Sequence, residues 1–285
     1  MRSFGRLGAV AVACAAAVLA VAMGGQADRS PSLEWSPTTN GSFDFGLVGV
    51  GKTASQTFTL TNSGGSASAA LTVELSGPAA FTITDDTCTA TSLGPRKSCT
   101  VSVEYAPTAS GASGAATLDA NGVKADASAS AKLSGRAALE FVTSLSPLNE
   151  NPPHPQSSAT GSATVFWDTS TSMMTVHVDF SGLTTPNTAA HIHCCVASPG
   201  NAGVATTVPT FTGFPGGTQS GTYTHTFDML NPTSYNPAFL VAQGGSVTAA
   251  AAALLAGLEA RQAYLNVHTT MFGGGEIRGF LQLDP

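Results

Sequence analysis

The chain has 285 residues, enough for one large domain or two of ordinary size. Only 10% of them are charged, and Gly (31), Pro (16) and abundant Ser, Thr and Ala favour many turns and short strands over long helices. The formal net charge of −6 without any basic run argues against a nucleic-acid backbone or an anionic membrane surface as partner; an extracellular protein or a small surface ligand is the expected kind of partner.

The N-terminus reads as an export signal. Arg2 and Arg6 precede an apolar run from Leu7 to Met23, and Gly25 to Ala27 supplies small residues for cleavage, so residues 1–27 are assigned as a signal peptide with Asp28 beginning the mature chain. An uncleaved membrane anchor is the alternative, since the run approaches spanning length. Cys14 as a lipid acceptor is a weaker one, because Ala11-Val12-Ala13 leaves little apolar sequence upstream. The expected location is secreted, periplasmic or at the cell surface, with no membrane span in the mature chain. Removing the signal leaves Cys88, Cys99, Cys194 and Cys195. Export favours disulfides, and position suggests Cys88 with Cys99, leaving the adjacent pair to itself.

Residues 28–136 form a run of short alternating strands. Phe43 and Phe45, Thr57 to Thr61, Leu71 to Leu75, Phe81 and Ile83, Val101 to Tyr105, Leu118, and Ala129 to Leu133 carry them. Asn40-Gly41, Asn62-Ser63-Gly64-Gly65, Ser76-Gly77-Pro78 and Asn121-Gly122 separate them. About seven strands at this spacing predict an immunoglobulin-like sandwich. The segments Phe45-Gly46-Leu47-Val48-Gly49, Leu60-Thr61-Asn62-Ser63-Gly64, Ser98-Cys99-Thr100-Val101, Tyr105-Ala106-Pro107 and Leu133-Ser134-Gly135 resemble bacterial choice-of-anchor D domains and the related ASPM, SPD-2 and Hydin type of immunoglobulin-like module. That resemblance implies an extracellular spacer or attachment module with no catalytic residues.

The pattern breaks between Gly135 and Leu139 without a Pro or Ser tract, so the second domain, 137–285, is expected to join tightly to the first. Strands are predicted at 139–141, 164–167, 174–180, 190–195, 221–227, 263–268 and 276–283. Ser246 to Leu258 reads as the one helix, with Ser246 or Thr248 as cap and Gly257 as its end. The whole is therefore an all-β protein of two β-sandwich domains, the second with one short helix. Leu145-Ser146-Pro147-Leu148-Asn149-Glu150-Asn151-Pro152-Pro153, Ala190-His191-Ile192-His193, Tyr264-Leu265-Asn266-Val267-His268-Thr269 and Gly274-Gly275-Glu276-Ile277-Arg278-Gly279 are similar in sequence and order to the CHRD domain. That domain is named from chordin, an extracellular antagonist of growth factors, and also occurs alone in secreted bacterial proteins. The resemblance implies a secreted sandwich module, and fold alone does not transmit a partner.

Chemistry concentrates in Ala190-His191-Ile192-His193-Cys194-Cys195. In an extended strand His191, His193 and Cys195 share one face while Ile192 and Cys194 take the other. With His268 as third ligand the arrangement resembles the copper ligand set of copper/zinc superoxide dismutases, without the bridging histidine and further ligands of their zinc, so a mononuclear copper or zinc site is the most the residues allow. Cys195, if reduced, and Glu276 are further candidate ligands. A bond between Cys194 and Cys195 is the other reading of that pair, and it requires the strand to end there. Glu276 and Arg278 are alternatively a partly buried ion pair holding the last hairpin. No nucleophile–base pair is evident, and no catalytic residue is assigned. Three functions follow in order: an extracellular binding or structural module without a required cofactor, a copper- or zinc-binding protein using His191, His193 and His268, and a redox enzyme of dismutase-like chemistry.

Overall fold

The computed structural model describes residues 30–284 except 112 and 125; the predicted signal peptide, 1–27, lies outside the described residues. Eight strands build the first half: β1 (Leu33–Ser36), β2 (Ser42–Gly49), β3 (Ala54–Asn62), β4 (Leu71–Ser76), β5 (Phe81–Asp86), β6 (Ser98–Tyr105), β7 (Ser113–Gly122) and β8 (Ser128–Leu145). A four-stranded sheet, β1-β3-β6-β5, faces a second in which β4, β7 and β8 are antiparallel neighbours and β2 runs parallel to β8.

Period-two alternation places the core. Phe58 and Leu60 of β3 and Val101, Val103 and Tyr105 of β6 turn inward onto Leu118, Ala131 and Leu133. The Tyr105 ring lies so close to Gly135 that a Cβ there would sit 2.6 Å from Cε1, which accounts for a glycine in the middle of β8. Buried Asn62 explains the turn signal that follows it. Its Oδ1 accepts from the backbone N–H of Ser32 and Gly64, and its Nδ2 donates to the carbonyls of Ser66 and Leu93.

Cys88 and Cys99 are joined across a sequence separation of 11, both buried in this core. Closing that loop limits the unfolded chain by about 2–4 kcal/mol. Chemical denaturation of the Cys88→Ala/Cys99→Ala protein is accordingly expected to show the first domain unfolding earlier by about that free energy, with the second domain's transition unmoved.

The two halves meet inside a strand. Ser128 to Ala138 of β8 pairs with β7 and β2, and Leu139 to Leu145 of the same strand pairs with β9 (Thr160–Asp168). Ala131 and Leu133 belong to the first core, while Phe141 and Leu145, on the same face of the strand, belong to the second. The expected tight junction is thus a shared backbone ladder, an eight-stranded sheet of which β8 is the common member. Lys52 reinforces it with an ion pair to Asp284, 3.1 Å.

Beyond β9 the chain runs through β10 (Met173–Ser181), β11 (Asn187–Cys194), β12 (Gly221–Asp228), α1 (Pro237–Ala242), α2 (Val247–Glu259), β13 (Ala263–Thr269), β14 (Ile277–Phe280) and β15 (Gln282–Leu283). The sheet β8-β9-β10-β12 and the three-stranded sheet β11-β13-β14 enclose Val165, Val176, Val178, Ile192, Leu265 and Val267, with Leu254 and Leu258 of α2 joining them.

Two helices stand where one was expected. The extra helix, α1, is announced by Asn236-Pro237: the Asn side chain caps by accepting from the Ala238 N–H, and proline occupies the first helical position. In α2 Ser246 is the cap, accepting from the Ala249 N–H at 3.2 Å. Gly257, expected to end α2, lies inside it, because its missing side chain is needed for packing against the adjacent cysteines. Among the described residues no helix is long and apolar enough to cross a membrane.

Candidate metal centre

The three-stranded sheet is amphipathic in an unusual sense, since both faces are buried. One face presents Ala190, Ile192, Leu265, Val267 and Ile277 to the apolar core. The other presents His191 and His193 of β11, Tyr264, Asn266 and His268 of β13, and Arg278 of β14. Register sets the neighbours: His191 pairs with Asn266, His193 with Tyr264, and His268 with Ala189, whose methyl group leaves room for the ring opposite. Asn266 pairs in turn with Arg278. The segments 146–157 and 196–215 cover this polar face, leaving His191, His193 and His268 only 6%, 8% and 9% exposed.

One ring nitrogen from each of these histidines lies within 4.8 Å of the others. The remaining nitrogen of each ring faces a backbone carbonyl. His191 Nε2 is 2.7 Å from Pro209 O, His193 Nδ1 is 2.9 Å from Ala202 O, and His268 Nδ1 is 3.0 Å from Gly273 O. A carbonyl oxygen only accepts, so each of those nitrogens carries the hydrogen, and a neutral imidazole has only one. His191 Nδ1, His193 Nε2 and His268 Nε2 are therefore bare acceptors turned toward one another.

His191 Nδ1 and His268 Nε2 stand 3.3 Å apart with no hydrogen to share, and His193 Nε2 is buried without a partner. Converging lone pairs repel unless a cation or a proton lies between them. Protonation is disfavoured: burial, and secondarily the His268 charge, push His191 down to about 4, against the Pro209 carbonyl. Burial likewise pushes His193 down to about 4, with His268, His191 and Arg278 adding to it and the Ala202 carbonyl opposing. His268 is lowered by burial.

A stack stiffens the site. The Tyr264 ring lies parallel to His193, centroids 4.8 Å apart at 4°, and the Arg278 guanidinium sits 4.7 Å from the Tyr264 centroid. Arg278 is 1% exposed and donates to Asn149 O, Pro199 O, Gly200 O and Asn201 Oδ1 at 2.5, 2.8, 3.3 and 2.6 Å. It thus clamps the segment that carries Ala202. The hydroxyl of Tyr264 receives the Ala202 N–H, 3.2 Å, so the N–H and the carbonyl of that residue both face the histidine stack.

The roles expected of Glu276 and of Cys195 are both corrected. Glu276 and Arg278 do not pair. Glu276 lies in the turn before β14, so strand alternation does not carry it to the face of Arg278. Its Oε1 accepts from Ser157 and from the N–H and hydroxyl of Thr184, and its Oε2 from Thr269. Burial pushes this carboxyl up, yet those hydrogen bonds outweigh it and hold the group below its ordinary value. With its oxygens so occupied and the residue outside the histidine cluster, Glu276 is no ligand either. The acid beside Arg278 is Glu150, 3.8 Å from Nε, where it also accepts from Asn266 Nδ2 at 3.1 Å. Burial pushes Glu150 up to about 7, against the lowering by Arg278.

Cys195 is the second correction. Its sulfur is bonded to that of Cys194 and lies 3.6 Å from Ala253 O of α2, so the bond draws it away from the histidine face. Of the other histidines, His177 bridges Asp179 and Thr224 on an open sheet face, and His154 stacks on Phe272 at 4.4 Å.

Residues 141–281 match the family model of the CHRD domain, and residues 37–135 that of Cep192 domain 4. No curated protein matches the chain. Among solved structures, the Vibrio cholerae protease VesB is similar over 38% of this chain and 32% of its own, at 22% identity and a TM-score of 0.29. The secreted serine protease VesC of the same organism is similar over 85% of this chain and 49% of its own, at 13% identity and a TM-score of 0.30. The chain thus spans less than half the length of either. Residues 141–281 are thus a CHRD domain, preceded at residues 37–135 by an immunoglobulin-like domain of the Cep192 domain 4 type.

Proposed function

We propose that this is an exported metal-binding protein that holds a single zinc or copper ion through His191 Nδ1, His193 Nε2 and His268 Nε2. The observation that carries the reading is the set of three bare imidazole nitrogens facing one point, each with its opposite nitrogen engaged by a backbone carbonyl. Hydrogen bonds of that kind fix the tautomer and orientation of metal-bound histidines. Neutral imidazole suits zinc and copper, and three protein ligands leave a coordination position open to water. The immunoglobulin-like domain, fused through β8, serves in this reading as a rigid spacer presenting the metal domain.

Elemental analysis of protein purified without a metal-affinity tag, after supplementation with zinc or copper, is the test. About one equivalent of metal per chain supports the reading; protein that takes up neither metal overturns it.

Acid release gives a second check. Protons compete for the same nitrogens, and in the metal-free site His191 and His193 bind them only near pH 4. The apparent metal affinity is expected to hold level down to about pH 4 and to fall only below it, whereas histidines at the ordinary value of about 6.5 would begin to lose affinity two units higher. Metal titration at graded pH distinguishes the two.

A further inference from the structure

We infer that the bond between Cys194 and Cys195 is a redox control on the three-histidine centre, an inference that rests on the metal-binding reading. The pair ends β11 directly after the ligand His193. Cys194 is 6% exposed and packed in the core, while Cys195 is exposed. Helix α2 presses on the bonded sulfurs so closely that a Cβ at Gly257 would overlap Cys194 Sγ and lie 2.8 Å from Cys195 Sγ.

Two unbonded sulfurs must separate to van der Waals distance, well beyond a bond of about 2.05 Å. With the core and α2 closing the space around Cys194, the residue that can yield is Cys195, and its outward movement carries Val196 with it. Val196 opens the segment that returns at Ala202, whose carbonyl holds the hydrogen of His193 Nδ1. The same segment is tied to its surroundings by Val196 N–H to Gln262 O, 2.9 Å, by the Arg278 contacts, and by Cys194 N–H to Gly203 O, 3.2 Å. Loosening its start therefore loosens the carbonyl that keeps His193 Nε2 bare and aimed at the metal.

The reductant is a dithiol. Its thiolate attacks the sulfur of Cys195, the exposed residue of the pair, the Cys194–Cys195 bond breaks, and Cys194 leaves as thiolate and takes a proton. The second thiol of the reagent then closes its own disulfide and releases Cys195 as a thiol. Two electrons and two protons pass from the dithiol to the pair. Disturbing a hydrogen bond that orients a metal-bound histidine costs about 10–100-fold in affinity, and reduction is expected to weaken zinc binding within that range.

The test uses the full chain and zinc titrated against a competing chelator, before and after treatment with a dithiol that is then removed without air, with free thiols counted. A parallel Cys194→Ala/Cys195→Ala protein retains the Cys88–Cys99 bond. The expected result is weaker binding by reduced wild type, the same weakened affinity in the variant, and no response of the variant to dithiol. Equal affinity of oxidised and reduced wild type, or a variant that keeps the oxidised affinity or still responds, overturns the inference. Long-range proton–nitrogen NMR of the metal-free protein reads the His193 tautomer independently. If neither zinc nor copper binds, the metal reading fails, and the tautomer decides the coupling: a shift from Nδ1–H to a mixture on reduction sustains it, and an unchanged tautomer overturns it.

Discussion

Substituting His193 with asparagine is expected to abolish metal binding while leaving the fold in place. The asparagine amide nitrogen reaches about where His193 Nδ1 stands, so it can still donate to Ala202 O, and what is lost is Nε2, the nitrogen with no partner inside the protein. Because that atom would be a direct ligand in the proposed site, its loss should exceed the roughly 10–100-fold penalty of disturbing a supporting hydrogen bond. His268→Asn follows the same logic through Gly273 O. His191 is the mirror case: its Nε2 meets the carbonyl and its Nδ1 is bare, so glutamine is the replacement that keeps the Pro209 contact. Metal titration of the three variants, with circular dichroism to verify the fold, checks this. Three variants that bind as tightly as wild type would exclude this centre. In metal-free protein the same substitutions should stabilise or be neutral, since each removes one of three facing lone pairs.

The largest effect on stability is expected at Arg278. Its guanidinium satisfies three backbone carbonyls and Asn201 from a position with almost no access to water, and it is the cation nearest Glu150. Arg278→Met keeps much of the apolar stem but leaves the carbonyls of Asn149, Pro199 and Gly200 without that donor and Glu150 without its counter-charge. Breaking a buried pair from one side costs about 3–5 kcal/mol. Arg278→Lys should recover part of this, because one ammonium cannot span the fork of acceptors that a planar guanidinium reaches.

The loss should depend on pH. Glu150 has a folded-state value raised to about 7 from an ordinary 4.5, so its contribution is fully present below about 4.5 and is lost as the pH rises through about 7. Without Arg278 the folded value moves higher still, and the charged carboxylate becomes costlier to bury. The gap between wild type and Arg278→Met is therefore expected to widen as the pH rises through neutrality. Urea denaturation followed in the second domain at about pH 5 and pH 8 measures it; a gap that narrows with rising pH would contradict the assignment of Glu150 as the acid beside Arg278.

Much of the architecture could be read from residue order. Alternation in Thr57 to Thr61, Val101 to Tyr105 and Met174 to Phe180 marks strands because a half-buried strand must place every second side chain in the core. Cys88 and Cys99 were paired by position, and the His191/His193 spacing put both rings on one face for the same period-two reason. Asn236-Pro237 carried a helix signal that a strand-dominated reading passes over.

What the linear order could not contain is which groups meet across the fold. The tautomer of each histidine is set by carbonyls of Pro209, Ala202 and Gly273, and every residue has a carbonyl, so no letter of the sequence distinguishes those three. The choice of Glu150 over Glu276 as the acid near Arg278 depends on a segment more than a hundred residues upstream folding over β14. The diversion of Cys195 onto α2 depends on a sulfur bond and a gap at Gly257 that exist only when helix and strand pack. Sequence periodicity determined the sheets and put two of the three histidines on one strand. Tertiary packing alone brought His268 to them and turned their bare nitrogens inward, because hydrogen-bond direction and burial are properties of the assembled neighbours.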